Sequence, residues 1–261
     1  MNDTESLWKA LDEGNATHVL ELLREVEERT VDHWICESMA WSDLGDLERA
    51  RDALTEAGRQ LDDPLDMDYL WADAELCLRE WRLDEGREIF ERIQGVEENA
   101  AVLDRLAFCC ELEGDLGRAD ALLGRAAALD PEGHPVPPRL SGEEMDRLVH
   151  DAAERLPAPF QASLERASIH VAPTPTADLA AAHPAETPPD ALGLFVGPSE
   201  LDSVGVEGPE IPPVVYVFQR NIERASLDRD DLVEQVRITL YHEIGHLLGF
   251  DEEGVEAMGL E

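Results

Sequence analysis

Lysine is almost missing from this 261-residue chain: Lys9 stands alone, and arginine supplies the rest of the 21 basic side chains. Against 59 acidic residues they leave a formal charge of −38. A surface so negative repels phosphate backbones and anionic lipid, which argues against nucleic-acid or membrane partners. The same excess reads more simply as solubility than as a preference for basic substrates. Cysteine is scarce too. Cys36, Cys77, Cys109 and Cys110 all fall in the first half, without CxxC spacing or a histidine at ligand distance in sequence. That excludes a zinc knuckle or a disulfide framework and predicts small buried apolar residues in a reduced protein. Long apolar runs are absent, since no stretch approaches the roughly 20 residues of a spanning helix. The start, Met1-Asn2-Asp3-Thr4-Glu5, has no signal-peptide pattern, so the expected compartment is the cytoplasm. What remains is 43% hydrophobic, enough for about two domains with real cores.

The most informative stretch is His242-Glu243-Ile244-Gly245-His246. Two imidazoles four residues apart share one helix face, so both can reach a single Zn²⁺ at roughly 2.0–2.1 Å. Glu243, beside the first of them, is placed to take a proton from a water on the metal. The helix carrying the motif is visible in Leu232, Val233, Val236, Leu240, Ile244 and Leu247, with Asp228 as its N-cap and Asp231 three residues on. Gly249 ends it, and its left-handed freedom lets the chain turn back toward the metal. Glu252, ten positions after His242, is then the expected third ligand, with Asp251 and Glu253 as its rivals. Only 15 residues follow His246, so a long helical return to a remote ligand does not fit.

Internal self-similarity organises the first half. Segments starting at Val31, Met67 and Ala100, spaced by 36 and 33 residues, align large on large and small on small. Trp34, Leu70 and Leu103 share the fourth position; Ser38, Ala74 and Ala107 the eighth; Gly45, Trp81 and Gly114 the fifteenth; Ala50, Gly86 and Ala119 the twentieth; then Leu54, Phe90 and Leu123 follow. This resembles the tetratricopeptide repeat, a helix-turn-helix unit of about 34 residues. Residues 1–30 read as a divergent further pair turning at Glu13-Gly14-Asn15. The resemblance implies an all-α repeat array over 1–132, a form whose surfaces commonly hold peptides or partner proteins.

Gly133-His134-Pro135-Val136-Pro137-Pro138 marks a linker, taken as 133–140. Ser141-Gly142-Glu143-Glu144 then opens a helix with a capping box. Ser168–Ala172, Leu192–Val196 and Val214–Phe218 alternate or run apolar as strands do, and 173–190, rich in Pro, Ala and Thr, reads as a loop. With the Met145-Asp146-Arg147-Leu148-Val149 helix, Leu192-Gly193-Leu194-Phe195, a Val214-Val215-Tyr216-Val217-Phe218-Gln219-Arg220 strand, Glu234-Gln235-Val236-Arg237 and the metal motif, residues 141–261 resemble the small bacterial zincin-like metallopeptidases. The resemblance implies a small α+β domain with His242 and His246 as ligands and Glu243 as base. That family often has aspartate where Glu252 stands. Tyr216 and Tyr241 are candidate oxyanion donors, more simply read as packed aromatics. His150, His170 and His183 read as surface or capping residues, with His183 next in line should Glu252 not be a ligand.

Two functions follow. The leading one is a zinc metallopeptidase whose repeats recruit a protein substrate or partner. The other is a non-catalytic interaction protein with a structural or inactive metal domain. Glu243 favours the first, because a closed structural zinc site has four protein ligands and needs no adjacent base.

Overall fold

The computed structural model describes residues 3–156, 161, 164, 167–184, 186–198 and 212–250. The chain divides into two compact units, Met1–Pro135 and Val136–Glu261. No described helix is long and apolar enough to cross a membrane.

The first unit is a succession of helix pairs: α1 (Asp3–Asp12) with α2 (Ala16–Leu23), α3 (Val31–Asp43) with α4 (Leu47–Gln60), α5 (Met67–Arg79) with α6 (Leu83–Val96), and α7 (Ala100–Leu112) with α8 (Leu116–Leu129). The second, third and fourth pairs begin at the three residues where the repeat starts. Each pair packs internally and against the next, α3 against α5 and α6 against α7. The small residues at the eighth position, Ser38, Ala74 and Ala107, are buried, as are Leu54, Phe90 and Leu123 on the second helices. All four cysteines are buried and unpaired. Burial pushes the thiols of Cys36 and Cys109 up to about 12.

One turn recurs between the helices of a pair. Gly14, Gly45 and Gly114 take left-handed φ angles of 69°, 78° and 83°. The next residue's amide reaches back to a carbonyl of the helix just ended: Asn15 to Ala10 at 2.9 Å, Asp46 to Trp41 at 2.9 Å and Asp115 to Cys110 at 2.8 Å. That same residue caps the following helix, its side chain accepting from His18 N, Arg49 N and Arg118 N respectively. The third pair keeps the backbone but not the residues. Trp81 takes φ 58° where its counterparts are glycine, and Arg82 stands at the cap without a side-chain cap bond. Arg82 instead pairs with Glu80 and Glu85.

The second unit opens with α9 (Gly142–Glu154), whose capping box is present: Ser141 Oγ accepts from Glu144 N, and Ser141 N donates to Glu144 Oε2. The sheet is β1 (Ser168–Ala172), β2 (Gly193–Val196) and β3 (Val214–Phe218) in the order β1-β3-β2, with β1 parallel and β2 antiparallel to β3. A short helix, α10 (Ala177–Ala182), lies within the stretch expected to be loop, because Thr176 Oγ1 caps it by accepting from Leu179 N. The polar run after β3, expected to continue the strand, turns into α11 (Gln219–Ala225), and α12 (Arg229–Leu248) follows. Met145, Val149 and Ala152 of α9, Val215 and Val217 of β3, and Leu232, Val236, Leu240 and Ile244 of α12 form the core. Glu223, fully buried, accepts from Arg139 Nη1 at 2.7 Å, Leu140 N at 3.0 Å and Gln219 Nε2 at 2.7 Å, tying the segment before α9 to α11.

Nothing lies within 4 Å of a Cβ added at Gly45 or Gly114, so alanine there meets only backbone strain. Gly45→Ala and Gly114→Ala should each cost about 1 kcal/mol in urea denaturation, and unchanged midpoints would contradict this account of the turn.

Glu80 links α4 to α5, accepting from Arg51 Nε at 3.1 Å and Nη2 at 2.6 Å and from Arg82 Nη1 at 2.9 Å. Burial alone would raise this carboxyl, but the arginine bonds outweigh it and hold it below the ordinary range. A carboxylate depressed in the folded state adds stability above its unfolded-state value and loses it as pH falls through the folded one. Glu80→Gln is expected to lower the unfolding free energy by about 1–2 kcal/mol at neutral pH. Its gap to wild type should close below about pH 4, and a gap that stays constant with pH would refute the assignment.

Candidate metal centre

The centre is built on the last turns of α12. Asp228 starts the helix, accepting from the amides of Asp230 and Asp231, while Asp231 Oδ2 accepts from Leu227 N at 2.7 Å. Leu232, Val236, Leu240 and Ile244 turn inward, and α12 packs on α9, β2, β3 and α11. His242 and His246 are half-buried, and Glu243 between them is only 8% exposed.

The two imidazoles converge. Their Nε2 atoms stand 3.1 Å apart, with ring centroids 4.7 Å apart and planes at 80°. Two nitrogens bound to one tetrahedral zinc at about 2.0–2.1 Å are separated by about 3.3 Å, so the spacing suits a shared ion. The reversal at Gly249, φ 92°, turns the chain so that Phe250 N donates to Gly245 O at 3.1 Å. It also brings the Phe250 carbonyl to 3.1 Å from His246 Nδ1. A proton on Nδ1 donated to that carbonyl leaves Nε2 its lone pair, the arrangement a metal-ligating histidine needs. Imidazole nitrogens suit zinc, so the two histidines fit the ion.

Among the described residues no third histidine, cysteine or acidic side chain joins the pair. Glu252, with its rivals Asp251 and Glu253, lies outside the described residues. The other histidines of the second unit are engaged elsewhere: His150 lies 3.4 Å from Glu154, His183 lies 3.8 Å from Glu186, and His170 meets the edge of Tyr216. Tyr216 also stacks on Phe218, and Tyr241 is buried under the Arg237 guanidinium.

Beside Glu243 runs β2. A Cβ built on Gly193 would stand 2.8 Å from both Cγ and Oε1 of Glu243 and 2.7 Å from Cγ2 of Thr239, one turn earlier on α12. No sequence expectation assigned Gly193 to the centre. The available signal was a glycine inside an apolar strand run, which marks a close backbone approach.

His246→Ala removes one donor and should lower the zinc content of purified protein well below that of wild type, with Glu252→Ala acting in the same direction. Unchanged stoichiometry in His246→Ala by elemental analysis would count against the pair as ligands.

Residues 164–260 match the family model of the zincin-like metallopeptidases, a span that takes in the sheet, α12 and Glu252. No curated protein matches the chain.

Proposed function

We propose that residues 141–261 form a zinc-dependent peptidase domain, joined through 133–140 to a repeat array, 1–132, that recruits or orients a protein substrate. His242, His246 and Glu252 hold the ion in this reading, and Glu243 is the general base. The observation that carries it is the convergence of both Nε2 atoms on one point, 3.1 Å apart, with a buried carboxylate between the two ligands in sequence. When bound, zinc supplies a Lewis acid that acidifies water and polarises a scissile carbonyl. Glu243 accepts the water's proton on a carboxylate oxygen and delivers it to the departing amine nitrogen as the C–N bond breaks. His246 is kept in its ligating tautomer by the Phe250 carbonyl.

The peptide as substrate class is supported by the sheet. Among the described residues β2 is an edge strand, and Gly193 brings it against Glu243. An extended peptide laid along such an edge is ordered by main-chain hydrogen bonds. Recruitment by the array is supported by a cleft of about 440 Å³ between α3 and α4, with Trp34, Trp41, Arg49 and Glu56 in its wall. The four unpaired buried thiols fit a reducing compartment, the cytoplasm in this reading.

Glu243→Gln keeps the shape of the side chain and removes its basicity. It should retain zinc at the wild-type level while hydrolysis of a quenched-fluorescent peptide library falls by roughly 10²–10⁴. Equal behaviour of wild type and variant across the library would favour the non-catalytic interaction protein instead.

A further inference from the structure

We infer that Gly193 is a positioning residue for the general base: its missing side chain lets β2 form the wall that holds the Glu243 carboxylate in place. The inference rests on Glu243 being the base and adds what keeps it there.

The strand cannot drift from the helix. Gly193 is in register with Val217, which is fully buried in the core. Just before it, Phe218 N donates to Leu192 O at 2.8 Å, and Asn221 Nδ2 donates to Ala191 O at 2.7 Å and Pro189 O at 2.9 Å. Asn221 is 3% exposed, and because both partners are carbonyls only its amide nitrogen can serve them. The start of β2 is thus clamped from α11 while α12 lies against it.

Between the clamp and the helix, space closes around one point. Three atoms on two side chains approach the Cβ position of Gly193 to 2.7–2.8 Å, closer than Cβ atoms are found to tolerate. Were a methyl group placed there, something would have to move. The strand is anchored by its bonds, and Thr239, being β-branched, has only two χ1 rotamers open to it on a helix. Glu243 has three side-chain torsions and is the group that yields. In the wild-type chain the same closeness means the Glu243 side chain is bounded by β2 on the side where it would otherwise swing. A base held to within a fraction of an ångström matters, since a displacement of about 1 Å can cost about 10²-fold in rate.

The test is Gly193→Ala, assayed on the quenched-fluorescent peptide library beside wild type. kcat should fall about 10- to 100-fold with KM within about twofold. Zinc content should match wild type, because the atoms nearest the added methyl belong to Thr239 and Glu243 and not to either histidine. A crystal structure of the variant should show Glu243 in a changed rotamer, and a Glu243 unmoved from its wild-type position would overturn the inference whatever the activity. Gly193→Ala/Thr239→Ala relieves the helix clash but not the one with Glu243, so stability should recover while kcat stays low. If kcat recovers together with Tm, the loss came from strand packing and the inference is wrong. Should Gly193→Ala alone fail to fold, the double variant carries the same test. A wild-type protein that binds zinc yet cleaves no peptide would instead sink the reading of Glu243 as base, a failure separable from the rotamer result.

Discussion

Leu232, Val236, Leu240 and Ile244 press one stripe of α12 into the core between α9 and β3. A helix advances about 100° per residue, so once that stripe is buried every other side chain of α12 has an assigned direction. His242 and His246, one turn apart, land half-buried on a common face, and Glu243 turns toward β2. The hydrophobic seating of one 20-residue helix is therefore also what aims His242, His246 and Glu243. The wall at Gly193 and the Phe250 carbonyl act on side chains that this packing has already aimed.

The first unit solves a different problem, how to join helices when the chain carries so few positive charges. Five of its arginines make joints between elements. Arg51 of α4 meets Asp73 of α5 and Glu80 at its end, Arg87 of α6 meets Glu113 beyond α7, and Arg105 of α7 meets Glu75 of α5. Arg118 and Arg125 of α8 reach back to Glu91 and Glu98. Guanidinium can serve two carboxylates at once in fixed geometry, which a lysine ammonium does less well. The near-absence of lysine and these bridging arginines are physically compatible for that reason. Surplus carboxylate is left on the surface, where mutual repulsion favours solubility over association.

The repeat was legible because it is local. Large and small residues recurring at near-constant spacing located the starts of α3, α5 and α7, and the turn glycines marked where each pair folds back. Trp81 is the instructive exception: the register placed it opposite Gly45 and Gly114, and the backbone adopts the left-handed turn there although the residue disfavours it. Packing of the neighbouring helices outweighs the local preference. The strands, and the cap, the turn and the convergent histidine pair of α12, were legible on the same grounds. The short helices α10 and α11 were not. Spans of 6 and 7 residues carry too little periodicity to distinguish helix from a polar loop or a strand end. Glu252 was placed by spacing from His242 alone, and it lies beyond the described residues.

Spacing along the chain determined that two imidazoles lie on one helical face with a carboxylate beside the first, that a glycine stops that helix, and that the first half repeats. Those are properties of a few consecutive turns, governed by the pitch of the helix and the conformational freedom of glycine. Tertiary structure decided which strand lies against Glu243, that Gly193 closes on it, and that Asn221 and Phe218 hold that strand there. Residues 193 and 243 are 50 positions apart. A contact of that kind follows from the register of a sheet and the packing of a core, and no periodicity in the chain announces it.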